Sequence, residues 1–147
     1  MEHLVLAFFR WKQKKFLTIK FRGGFVEVLS YFSDYQIHIS KKSFFVELTE
    51  LPKEIGNLIN LQGLSVFGNK LTELPTEIGN LINLQKLYVY NNNLTELPKL
   101  PYSLTFLDCE TNHLSSLPEL PFSLTTLRCE NNKILSLPEL PNQLKEL

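Results

Sequence analysis

"LQKLYVYNNNLTELP", residues 84–98, decides the fold because the chain writes it four times. "LQGLSVFGNKLTELP" stands at 61–75, "LTFLDCETNHLSSLP" at 104–118 and "LTTLRCENNKILSLP" at 124–138. In each copy the fourth and sixth residues are apolar and their neighbours, Gly63 apart, polar or aromatic, as in Leu87 and Val89 flanked by Lys86, Tyr88 and Tyr90. Period-two alternation of that kind describes a short strand with one buried face. The ninth residue is always asparagine: Asn69, Asn92, Asn112 and Asn132. Its amide donors and carbonyl suit the backbone groups freed where a chain turns off a strand, so stacked copies predict an asparagine ladder. The next inward leucine (Leu71, Leu94, Leu114, with Ile134 in the last copy) and the leucine of each Leu-Pro carry the core around the corner.

Aligned on the leading leucine, the units run 61–83, 84–103, 104–123 and 124–143, with a stub at 144–147. The back half of another unit, "LTELPKEIGNLIN", stands at 48–60. Its front half is degenerate or replaced. The pattern resembles the leucine-rich repeat family, over residues 48–147. The resemblance implies an α/β solenoid: an arc with a parallel β-sheet on the concave side, the asparagine ladder along it, and binding through the concave face.

Unit length predicts two kinds of return path. The longer units carry "TEIGNLINL" without an internal proline, which suits a helical or 3₁₀ turn. In the shorter units prolines at 98 and 101, 118 and 121, and 138 and 141 remove donors and push the preceding residue to an extended conformation. That Pro-x-Leu-Pro spacing is similar to the repeat domains of bacterial effector proteins that act inside host cells. Two unpaired cysteines without a secretion signal favour a cytoplasmic setting, and the resemblance implies the inside of a host cell if the chain is effector-like. Such effectors often carry a ubiquitin-ligase domain after the repeats, so a second reading is a truncated or degraded piece of a larger effector-like protein.

Composition divides the 147 residues near position 48. Residues 1–47 hold eight Lys/Arg against four Asp/Glu, while residues 48–147 hold seven against eleven. Eight of the eleven phenylalanines also precede residue 48. The upstream part reads as a β-rich N-terminal segment, with a hairpin about Gly23-Gly24 and a further strand at Ile37 and Ile39. Its expected role is to cap the open core of the first repeat. Its basic run, Arg10, Lys12, Lys14, Lys15, Lys20 and Arg22 among aromatics, supplies a third reading, an anionic ligand or nucleic acid, which ranks below protein binding. The start lacks a basic n-region and a cleavage site, and no apolar stretch reaches the ~18 residues of a membrane span. No membrane partner is expected.

No catalytic constellation stands out. There is no glycine-rich phosphate loop and no Ser/His/Asp arrangement, and the imidazoles are His3, His38 and His113. Cys109 and Cys129 replace Val66 and Val89 at the sixth position, so they read as small core residues. Side chains on adjacent parallel strands point the same way, which disfavours a disulfide. His113 lies on a turn, which disfavours zinc. No enzyme activity, cofactor or metal is expected.

The remaining surface is the concave one. Its third, fifth and seventh positions include Phe67, Lys86, Tyr88, Tyr90, Phe106, Asp108, Glu110, Arg128 and Glu130. Four aromatics beside three acids suggest a non-catalytic protein-protein interaction module, with Arg128 expected to pair laterally with Asp108. At the far end, the stub is expected to leave residues 126–130 as an unpaired edge, so that the chain either self-associates there or frays back to the unit at 104–123.

Overall fold

The computed structural model describes residues 48–147 in full, together with the backbone of four upstream strands. Three of these, β1 (Leu6–Trp11), β2 (Lys14–Phe21) and β3 (Gly24–Val28), form an antiparallel sheet in the order β1-β2-β3. The expected hairpin joins β2 to β3, with Phe21 opposite Gly24. The tip of that hairpin and the side chains of the basic run lie outside the described residues.

The fourth, β4 (Gln36–His38), belongs to the repeats. It pairs in parallel with β5 (Gly63–Ser65), and Ile37 takes the register position opposite Leu64. The sheet continues through β6 (Lys86–Tyr88), β7 (Phe106–Asp108) and β8 (Thr126–Arg128), five strands in chain order. Leu64, Leu87, Leu107 and Leu127 stand in one row across it. All four are 0% exposed.

Each ladder asparagine ties two units together. Asn92 Nδ2 donates to the carbonyls of Val89, Tyr90 and Val66, and its Oδ1 accepts the Leu71 N–H at 3.1 Å. Asn112 repeats the scheme with Cys109, Glu110, Val89 and Leu94. Asn132 repeats it with Cys129, Glu130, Cys109 and Leu114. Asn69 accepts from Leu48 N–H and donates to Val66 and Phe67. The residue before each asparagine, Gly68, Asn91, Thr111 or Asn131, has φ between 51° and 66°. This left-handed step swings the chain off the strand, and it favours the glycine and asparagines found in three of the four units.

The return paths differ as unit length predicts. The longer units form 3₁₀ turns at Lys53–Asn57 and Thr76–Asn80, each entered from an extended proline, Pro52 or Pro75. Gly56 lets these turns nest, since a Cβ there would lie 2.5 Å from Glu77 Cβ. The shorter units run extended, burying Leu100 and Leu120 beside Pro101 and Pro121.

The stub corrects one expectation. Glu146 bridges Thr126, its carbonyl accepts the Leu127 N–H at 3.0 Å, and Leu144 packs against the core. Four residues suffice because Leu144 reaches the inward leading position while Lys145 and Glu146 both donate to Thr125 O. The first half of the edge at 126–130 is therefore paired.

Candidate binding face

Burying Leu87, Leu107 and Leu127 beneath the sheet turns their strand neighbours to the opposite side. Strand register aligns three rows there. Gly63, Lys86, Phe106 and Thr126 form the first, and Ser65, Tyr88, Asp108 and Arg128 the second. The third is Phe67, Tyr90, Glu110 and Glu130, where Gly68 N–H meets Tyr90 O, Asn91 N–H meets Glu110 O and Thr111 N–H meets Glu130 O.

The four aromatics form two pairs. Phe67 and Tyr90 stack with centroids 4.5 Å apart and planes 8° from parallel. Tyr88 and Phe106 tilt together at 4.9 Å and 38°. Arg128 adds its guanidinium over Phe106, 5.7 Å from the ring centre. It makes no close salt bridge with Asp108, and the expected lateral pairing is reduced to a longer-range attraction that lowers the Asp108 pKa. The guanidinium is planar and stacks well on a ring, while the Asp108 carboxylate folds toward its own strand and accepts the Glu110 N–H at 3.3 Å. Lys86 stands exposed in the first row, away from the acids.

Asp108 is only 6% exposed. Burial raises its pKa above the usual carboxylate value and Glu130 raises it further, against the lowering pull of the Glu110 N–H and of Arg128. Glu110 is also raised, by burial and then by Asp108 and Glu130. The Tyr90 hydroxyl is raised by burial and then by Asp108 and Glu110. The acids thus repel one another across β7 and β8.

Cys109 is fully buried and its Sγ donates to Arg128 O at 3.3 Å. Burial pushes this thiol far above its ordinary range. Cys129 is half-buried, and neither cysteine is bridged. Among the described residues no group of three His, Cys, Asp or Glu side chains could hold a metal, and no helix is long and apolar enough to cross a membrane.

One feature escaped the sequence reading. Ile59, Ile82, Tyr102 and Phe122 occupy equivalent positions just before their strands, and they are 51%, 66%, 72% and 80% exposed. Their backbone is pinned by a second polar ladder in which Asn83 Nδ2 donates to Ile59 O and Ser123 Oγ to Tyr102 O. The signal was an apolar column, two residues before the leading leucine, that no core position required.

Comparison with known proteins agrees with the repeat architecture. Residues 59–102 match the family described as Leucine Rich repeats (2 copies). The leucine-rich repeat domain of a Shigella effector is 38% identical with a TM-score of 0.67, over 76% of this chain and 47% of that one. YopM of Yersinia pestis, a leucine-rich effector protein, is 36% identical with a TM-score of 0.58, over 67% and 33%. YopM of Yersinia enterocolitica is 36% identical with a TM-score of 0.55, over 69% and 20%. The chain therefore spans less than half the length of each of these structures. No curated protein matches it.

Proposed function

We propose, from the premise that this chain carries a leucine-rich repeat solenoid similar to those of bacterial effectors, that it is a non-catalytic module binding a protein partner on its concave face. One observation carries the reading. Phe67, Tyr90, Tyr88 and Phe106 are held as two ring pairs on the solvent side of a sheet whose other side is the core. Aromatics in that setting supply most of the energy at protein interfaces. Lys86, Asp108, Glu110, Arg128 and Glu130 flank them and supply polar contacts. Residues 1–47 act as the N-terminal cap of the solenoid, a role supported by the continuity of β4 with β5. The effector likeness favours action in a cytoplasm, inside a host cell. A second reading, a module within a longer effector-like protein, draws on the 47% span of the Shigella domain.

The test replaces both Tyr88 and Tyr90 with alanine and measures affinity for a captured partner. A loss of roughly tenfold or more is expected, because a hot-spot truncation costs about 2 kcal/mol. The convex change Glu119→Lys should leave affinity within about twofold, since substitutions outside an interface core act weakly. The reverse pattern would put the interface on the other face.

A further inference from the structure

The third row of the concave face changes chemistry at its midpoint: Phe67 and Tyr90 are stacked rings, and Glu110 and Glu130 are carboxylates. Neighbouring strands lie about 4.8 Å apart, so ring and carboxylate are within reach of adjacent side chains on one bound segment. Asp108 lies beside that junction, more than nine-tenths buried. Its Oδ1 takes the Glu110 N–H, and no donor among the described residues reaches Oδ2. No buried side-chain oxygen or nitrogen lacks a partner in this region, so Oδ2 opens to solvent at the face. A carboxylate held in this way is costly unless a cation meets it. The chain's own nearby cation, Arg128, lies over Phe106 and offsets this only in part, since its pull does not overcome the effect of burial.

Building on the concave reading above, we infer that the occupant is a protein segment presenting a lysine or arginine next to an apolar side chain. The apolar group covers the Phe67–Tyr90 and Tyr88–Phe106 rings, and the cation sits among Asp108, Glu110 and Glu130. Charge complementarity carries the choice, since three carboxylates face one arginine that is already engaged on a ring. An acidic segment would add to a repulsion the carboxylates already feel. A wholly apolar one would cover Asp108 and leave its charge unpaired, which is the more costly arrangement. The Phe106 ring already accepts a guanidinium on its face, so the same surface tolerates a second cation at its acidic edge.

The experiment uses three fluorescent peptides that share a Gly-Ser frame and a central tryptophan flanked by arginines, by glutamines or by glutamates. Anisotropy is read on the full chain at low and high salt. The arginine peptide should bind roughly tenfold tighter than the glutamine one, with the glutamate peptide weakest. Salt should reduce the difference. The combined Asp108→Asn, Glu110→Gln and Glu130→Gln variant should abolish the preference for arginine while keeping its circular dichroism spectrum. If the three peptides bind equally, or none binds, the inference is overturned. If the glutamine peptide matches the arginine peptide and both are lost in the Tyr88→Ala/Tyr90→Ala protein, the partner chemistry is wrong while the concave reading stands. If arginine binding survives both the tyrosine and the carboxylate changes, the site lies elsewhere and both readings fall.

Discussion

The inner and outer sides of the same four strands follow opposite rules. Inward, Leu64, Leu87, Leu107 and Leu127 repeat one residue and all are fully buried. Outward, the second row alone passes from Ser65 through Tyr88 and Asp108 to Arg128. A solenoid's stability is a sum of repeating interfaces, so constancy marks the side that folds the chain. Variation marks the side free to be chosen for contact.

The largest effect should come from the inner side. Asn92→Ala removes four hydrogen bonds. Val89 O keeps the Asn112 donor and Val66 O the Asn69 donor, but Leu71 N–H is orphaned in the core. The expected loss is about 2–3 kcal/mol by urea denaturation. Asn132→Ala, at the half-buried end of the ladder, should cost about 1 kcal/mol because water reaches its partners. Equal losses would mean that the ladder is no cooperative spine.

Thr111 sharpens the comparison, because it is a β-branched residue at φ 51° where the adjoining units have asparagine. Thr111→Asn should stabilise by about 1 kcal/mol, read as a higher urea midpoint. An unchanged or lower midpoint would show that the threonine side chain compensates for its backbone.

Cys109→Val restores the residue of earlier units and should cost less than about 1 kcal/mol, the volume being similar. In the native protein half-buried Cys129 should react slowly with iodoacetamide and fully buried Cys109 only on unfolding, because burial disfavours the reactive thiolate of both and also shields Cys109 from the reagent. Mass spectrometry of the alkylated peptides reads the order.

The smallest effect belongs to the outer side. The Asp108 pKa is raised in the fold, so the folded chain holds its proton more tightly than the unfolded chain does. Ionising it destabilises the fold as pH rises from the ordinary value of 3.8 through the raised one. Asp108→Asn should therefore stabilise at neutral pH by less than about 1 kcal/mol after solvent screening, with the gain vanishing below pH 3.8. Thermal melts across that range check it. A gain that persists in acid would point to packing instead of charge.

How far the sequence carried depended on whether a residue's partner repeats. The strands, the ladder asparagines and the two return paths were legible because each unit supplies the same partner at the same offset. The strand at Ile37 was legible, but its place in the repeat sheet was hidden because Ile37 precedes Leu64 by 27 positions, longer than any unit. The left-handed step was present as the column Gly68, Asn91, Thr111, Asn131 and was overlooked beside the invariant asparagine. On the concave face, register gave the three rows but not the side-chain choices within them. Arg128 lies over Phe106 while the Asp108 carboxylate accepts the Glu110 N–H, and nothing in the repeat pattern encodes either choice.

Two outward surfaces are candidates for the proposed partner: the concave rings and the exposed row of Ile59, Ile82, Tyr102 and Phe122. A benzophenone side chain placed singly at Thr126 or at Tyr102, irradiated in the presence of the captured partner, decides between them. A concave interface gives a crosslinked adduct from Thr126, suppressed by Tyr88→Ala/Tyr90→Ala, and none from Tyr102. An adduct from Tyr102 alone would contradict it.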